Sequence, residues 1–276
     1  MTPLQTELFA DQGYLRLQGF HPERRIAPIR QQLLDELKRI SSNARGWSSL
    51  RTLPMFQQIG KLSADAKVRG LHETLMNAEL VELVGRLAGR SPANVQPTQL
   101  LLSPPQQGTW SLQGLNWHVD VRAGATDPVP GIQAFFLIDD VAPRGGATLA
   151  LAGSHRLGTH GMPSAASLHA VLKRQQDLAQ ELQSEGIALV EMCGRAGDVF
   201  LMDMRVLHTP SINATRHPRM MATCRCLIGI ERLQSHRAGP PHDQSGGSLL
   251  SMRWAGAHPK RSPPNHPGKH RGKANA

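Results

Sequence analysis

The sequence predicts a mainly β domain with flanking helices, in which two packed sheets enclose a small site and a basic tail follows. Three observations carry this. Helical periodicity is confined to about the first ninety residues; from about Gln96 the chain breaks into short apolar runs bounded by Gly and Pro; and periodicity stops after Leu233. With 276 residues, 39% of them hydrophobic, there is enough material for a real core.

The helical part reads from its stripes. Ile26, Ile29, Leu33, Leu37 and Ile40 recur at three- and four-residue steps, and so do Leu71, Leu75, Leu80, Leu83, Val84 and Leu87. A short strand is expected near Tyr14–Leu17. The strand-like runs are QPTQLLL, SLQGLNWHVDV, GIQAFFLIDDV, ATLALAG, IALVEMC, DVFLMD and RMMATCRCLIGI. A helical insertion at about 167–185, marked by Leu168, Val171, Leu172, Leu178 and Leu182, interrupts them.

Formal charge is +10, and its distribution matters more than its size. Residues 232–276 hold eight Lys or Arg against the single acid Asp243, which leaves only +3 for the rest. The basicity therefore belongs to a Pro/Gly/His-rich tail that cannot bury enough apolar surface to order itself. It is weak support for nucleic-acid binding by the folded body, and neither RNA-binding aromatic patterns nor zinc-finger spacings occur. The five His residues of the tail are discounted as ligands of an active site.

Cys193, Cys224 and Cys226 offer too few thiols for a zinc ribbon, and the C-x-C pair is too constrained for a routine disulfide. Reduced, buried thiols are the expectation. No run approaches the roughly 18 apolar residues of a membrane span, so a soluble cytoplasmic protein is expected.

The chemistry centres on LNWHVDV, residues 115–121. On a strand, positions i and i+2 share a face with side chains about 6–7 Å apart, so His118 and Asp120 can converge on one ion. A third ligand, His208, closes the apolar run of GDVFLMDMRVLHTPS. Two His and one carboxylate on one face of an octahedron leave three positions open, a pattern that suits non-haem Fe(II), with zinc catalysis as the chemical alternative. By spacing alone H-x-D is a weak motif, and a solvent-facing strand pair is the competing reading.

The company the motif keeps is more specific. From about Leu8 to Ile230 the chain resembles the phytanoyl-CoA dioxygenase-like (PhyH) branch of the Fe(II)/2-oxoglutarate oxygenases. LFADQGYLRLQGF is similar to the family's opening helix and strand, LLLSPPQQG to its strand before the iron motif, and WHVD to the H-x-D itself. FFLIDDVAPRGGATLALAGSHR and GDVFLMDMRVLHTPSINATRHPR are similar to its later segments, the last with the spacing H, x4, N, x5, R.

That resemblance implies a double-stranded β-helix (jelly-roll, cupin-like) core. It places an oxygenase domain at residues 1–233, with a helical part at about 1–92 and the core at about 93–231, ahead of a tail at 234–276. It implies Fe(II), with 2-oxoglutarate and O2 as co-substrates and ascorbate as a reductant. The expected reaction is hydroxylation of an unactivated C–H bond of a small molecule, with succinate and CO2 formed from 2-oxoglutarate. His118, Asp120 and His208 match the iron triad. Arg219 matches the arginine that holds the distal carboxylate of 2-oxoglutarate, a task that suits a guanidinium in a poorly solvated pocket. Asp120 argues against halogenation, because related halogenases put a small residue there.

Departures from the family bear on specificity. Pro210 stands where many relatives have a small hydroxyl residue, leaving Thr209 or Ser211 to supply that contact, and Ser103 stands where a lysine is frequent. Gln133 and Phe135 lie on a strand expected to line the pocket, Trp117 flanks the motif as a lid candidate, and Arg122 at the mouth is a candidate for selecting an anionic substrate. Arg225 shares a face with Arg219 but is about 20 Å along the strand, so it is read as a rim or surface cation. Asn213 is read as fixing the turn after His208, and His155 as a structural hydrogen-bonding residue. The rival function is an inactive member of the fold that only binds, with its tail tethered to polyanions.

Overall fold

The computed structural model describes residues 1–42, 46–173 and 178–229, so the predicted tail lies outside the described residues. Helix α1 (Pro3–Gln12) starts on a capping box in which Thr2 and Gln5 satisfy each other's backbone N–H, and it stops at Gly13. Gly13 has φ 76°, and a Cβ there would lie 2.5 Å from both His155 Nδ1 and Val206 Cγ2. Only glycine allows this turn into strand β1 (Tyr14–Leu17), which is the strand predicted there.

Helix α2 (Glu23–Ser41) buries the predicted stripe Ile26, Ile29, Leu33, Leu37 and Ile40. Next come α3 (Gly46–Arg51), α4 (Met55–Asp65), α5 (Leu71–Leu75) and α6 (Ala78–Ala88). The second predicted stripe is thus two helices. Asn77 divides them, its side chain accepting from Leu80 N–H to start α6 afresh.

The strands that follow are β2 (Asn94–Val95), β3 (Gln99–Ser103), β4 (Gly131–Leu137), β5 (Thr148–Ala152), β6 (Ala188–Glu191), β7 (Val199–Asp203), β8 (His208–Pro210) and β9 (Arg219–Leu227). The predicted insertion is two helices, α7 (Ala165–Lys173) and α8 (Leu178–Ser184). One predicted strand is absent. SLQGLNWHVDV contributes only an isolated bridge at His118, because its backbone leaves strand geometry to follow the turn before β8. Conversely, the short strand β8 was not expected.

A larger antiparallel sheet runs β1-β7-β4-β9-β2, with β3 also on β9, and a smaller one runs β6-β5-β8. Period-2 alternation decides which residues face which layer. Ile132, Ala134 and Phe136 of β4 join Val199, Leu201, Met220, Ala222, Cys224 and Cys226 against the helices. Phe135 and Leu137 turn the other way, with Phe200, Met202 and Met221, to meet Ala150 of the smaller sheet. Outside that sheet Leu149 and Leu151 pack on α7 and α8. The result is two sheets enclosing an inner face with helices on both flanks, the double-stranded β-helix predicted. All three cysteines are free, as expected, and no described helix is long and apolar enough to cross a membrane.

Candidate metal centre

His118 and His208 are brought together by backbone pairing. Each donates its N–H to the other's carbonyl, at 3.0 and 2.9 Å, which ties the H-x-D segment to the start of β8. Two residues on, Asp120 and Val121 both donate to Met204 O, at 3.0 and 3.1 Å. His118 Nδ1 lies 3.0 Å from Asn116 O and His208 Nδ1 lies 3.0 Å from Val206 O. A carbonyl can only accept, so each Nδ1 carries the proton and each Nε2 keeps its lone pair. Burial holds His208 down to about 4, with His118 opposing and Asp120 favouring its charge, so its imidazole is neutral at pH 7.

One ligand atom from each of His118, Asp120 and His208 can be chosen so that all lie within 4.8 Å of one another. The ring centroids are 4.3 Å apart, and His208 Nε2 is 3.7 Å from Asp120 Oδ2. That oxygen is buried and accepts no hydrogen bond among the described residues. A desolvated carboxylate oxygen beside two imidazole lone pairs is costly alone and favourable around a cation, so the residues fit the implied iron.

The frame around the triad is itself held by charge. Arg205 is buried and grips Asp203 with Nε and Nη2, at 3.0 and 2.7 Å. Its Nη1 donates to the carbonyls of Gly124 and Asp127, at 2.9 and 2.8 Å, fixing the loop that follows Asp120. Asn213 accepts from Thr215 N–H and Oγ1–H and donates to His217 O, holding the turn that leads into β9.

Arg219, the first residue of β9, is 3% exposed, and its Nε and Nη2 have no hydrogen-bond partner among the described residues. Nη1 has only Met221 Sδ, at 3.8 Å. Burial without a counter-charge pulls Arg219 down to about 9. Ser103 lies directly opposite Arg219 in the β3–β9 register, fully buried, with its hydroxyl also unmatched. A guanidinium and a hydroxyl side by side are the donors a carboxylate needs. Where a lysine is frequent in the family there is no cation at Ser103, and the register instead sets its hydroxyl beside Arg219.

The other candidates divide. Phe135 presents its edge to His208, centroids 6.2 Å apart, and Gln133, also on the inner face, donates to Thr223 Oγ1 at 2.9 Å with its own Oε1 unmatched. Ser211 is buried, but its hydroxyl donates to Ala147 O at 2.7 Å. Thr209 pairs with Leu149 and shares its outward side, opposite to His208, so it points away from the triad. Trp117, next to His118, likewise faces outward into the α7/α8 cluster, which removes it as a lid. Arg122 is exposed, and His155 sits at 3.0 Å from Ala10 O, a structural contact.

Arg225 is partly exposed, as a rim cation would be, yet its Nη2 also reaches inward and donates to Asp120 Oδ1 at 2.9 Å, with the Arg225 side chain 33% and the Asp120 side chain 9% exposed, a contact the strand spacing did not reveal. The distance along β9 separates it from Arg219, but Asp120 arrives from a different segment.

Residues 9–221 match the family model for phytanoyl-CoA dioxygenase (PhyH). Similar solved structures include EctD from S. alaskensis with 2-oxoglutarate and 5-hydroxyectoine, at TM-score 0.56 and 20% identity over 88% of this chain and 86% of that one. The non-heme alpha-ketoglutarate-dependent carbocyclase SnoK from nogalamycin biosynthesis matches at TM-score 0.55 and 18% identity, over 83% and 84%. AviO1 from Streptomyces viridochromogenes Tue57 matches at 0.53 and 18%, over 86% and 96%. No curated protein matches the sequence.

Proposed function

The chain belongs to the phytanoyl-CoA dioxygenase family, and from that premise we propose that it is an Fe(II)/2-oxoglutarate-dependent oxygenase that hydroxylates an unactivated C–H bond of a small molecule. The observation that carries this reading is a carboxylate oxygen without a hydrogen bond and a buried guanidinium without a counter-charge among the described residues, both on one inner face. Asp120 Oδ2 calls for a cation, and the Arg219 guanidinium calls for an anion. A dicarboxylate that chelates the metal at one end and reaches Arg219 at the other answers both.

In this reading His118 and His208 hold the ion through Nε2 and Asp120 through Oδ2. Arg219 and Ser103 hold the distal carboxylate of 2-oxoglutarate, replacing the proposed contacts from Thr209 and Ser211. Iron with 2-oxoglutarate and O2 supplies the oxidation when bound, with succinate and CO2 as co-products. Phe135, Met221 and Leu137 keep water from the reacting centre, while Gln133 Oε1 offers an acceptor to orient the substrate. The similar fold of a carbocyclase shows that hydroxylation is not the one outcome this architecture serves, so product identity belongs in the test.

The experiment loads the protein anaerobically with Fe(II) and 2-oxoglutarate, admits O2 with a substrate library, and reads succinate release and a product that has gained one oxygen atom. Arg219→Leu strands the distal carboxylate without its partner, a loss of about 3–5 kcal/mol. The KM for 2-oxoglutarate should rise by roughly a hundredfold or more, with Fe(II) affinity unchanged because Arg219 is not a ligand. An unaltered KM in a folded variant rejects Arg219 as the clamp, and a product without the added oxygen atom, from a substrate that stimulates succinate release, rejects hydroxylation.

A further inference from the structure

The two oxygens of Asp120 are made unequal by one contact. Arg225 lies opposite Gln133 on the inner face of β9, and its Nη2 holds Oδ1 at 2.9 Å in a charge-assisted bond. Oδ2, the oxygen left without a bond, is the one that lies 3.7 Å from His208 Nε2. Among the described residues Asp120 is the one ionic partner of Arg225.

This matters because a carboxylate can give an ion one oxygen or two. With two imidazoles and one oxygen, about three of six octahedral positions stay open; a second oxygen closes one of them. A chelating oxoacid needs two positions and O2 needs another. We propose that Arg225 is a positioning residue of the metal centre: by occupying Oδ1 it keeps Asp120 a one-oxygen ligand and preserves the third open position. The proposal rests on Asp120 being a metal ligand.

The test uses the full chain freed of metal and loaded with Mn(II), without 2-oxoglutarate, and measures water-proton relaxation per bound ion, which reports the number of exchangeable waters. Arg225→Met, which keeps the stem and loses the donors, should lose about a third of the wild-type relaxation, as expected when three open positions become two. Arg225→Lys keeps a charged N–H donor on a stem of nearly the same reach and should keep the wild-type value. Melting of the metal-free proteins checks folding, and Arg225→Ala takes the place of Arg225→Met if the latter does not fold. Equal relaxation in wild type and Arg225→Met overturns the proposal, as does a Lys variant that behaves like Met. Failure of wild type to bind Mn(II), or binding undiminished in Asp120→Ala, overturns the triad itself, a different result from equal relaxation in proteins that do bind.

Discussion

Two histidines on either side of the larger sheet are both held near a pKa of 4, and they do different things. His21 lies on the helical side, its ring 4.9 Å from Phe20 and 5.8 Å from Phe136, with burial as the main depressing influence and Arg25 adding to it. His208 lies on the inner side, depressed by burial too, but beside Asp120 and His118. Burial alone therefore does not make a site. Unmatched polar atoms occur on both sides, the His21 ring nitrogens included, so what separates the faces is the company: phenylalanine rings and aliphatic chains on one, and on the other a carboxylate oxygen, a guanidinium and an amide oxygen gathered together.

The largest effect tests the inner face. His208→Ala, His118→Ala and Asp120→Ala should each abolish succinate formation while the melting temperature of the metal-free protein stays within a few degrees, since an open metal site contributes less to stability than a closed one. Normal turnover by any purified, metal-loaded variant removes that residue from the triad. If a variant instead unfolds, the inner face is as structural as the outer one and the contrast fails.

Next in size is the outer face. Phe136 is 1% exposed within the helix-facing core, and Phe136→Ala should cost about 3–5 kcal/mol in urea unfolding. The folded fraction should still bind Fe(II) with wild-type affinity. A weakened metal site at equal folded fraction would show that the faces are coupled.

The smallest effect sharpens the comparison by pH. His21 has a folded value of about 4 against an ordinary 6.5, so between these the unfolded chain binds the extra proton. Its contribution is fully present above pH 6.5 and is lost as pH falls toward 4, at no more than about 1.4 kcal/mol per pH unit for one proton. His208 adds a shift in the same direction, so the measurement is the difference in slope between wild type and His21→Phe. Parallel stability curves from pH 4 to 7 would mean that His21 does not titrate on unfolding.

How far the sequence was legible follows the range of each signal. The α2 stripe, β1, β4, β7 and β9 follow from local periodicity. The triad was legible because a motif and a resemblance coincided. Strand β8, three residues ending in Pro210, is too short to show alternation. Trp117 and Thr209 were misassigned although a local rule was at hand: each neighbours an inward ligand, so each faces outward. Ser103 and Arg225 needed long-range knowledge, the β3–β9 register for one and the loop carrying Asp120 for the other. Distance along a strand says nothing about what reaches it from elsewhere.

The Arg205 grip has a consequence for how such a site can change. Its Nη1 holds the carbonyl oxygens of Gly124 and Asp127, and every amino acid carries one. Only Asp127 also contributes a side chain to the loop's shape, accepting from Gly124 N–H at 2.6 Å. Gly124 is constrained too, since a Cβ there would lie 3.0 Å from Asp127 Oδ2, but the exposed Arg122 and Thr126 can be exchanged without loosening the anchor. Sequence change can therefore accumulate on the exposed side of this loop while the ligands beside it stay where they are.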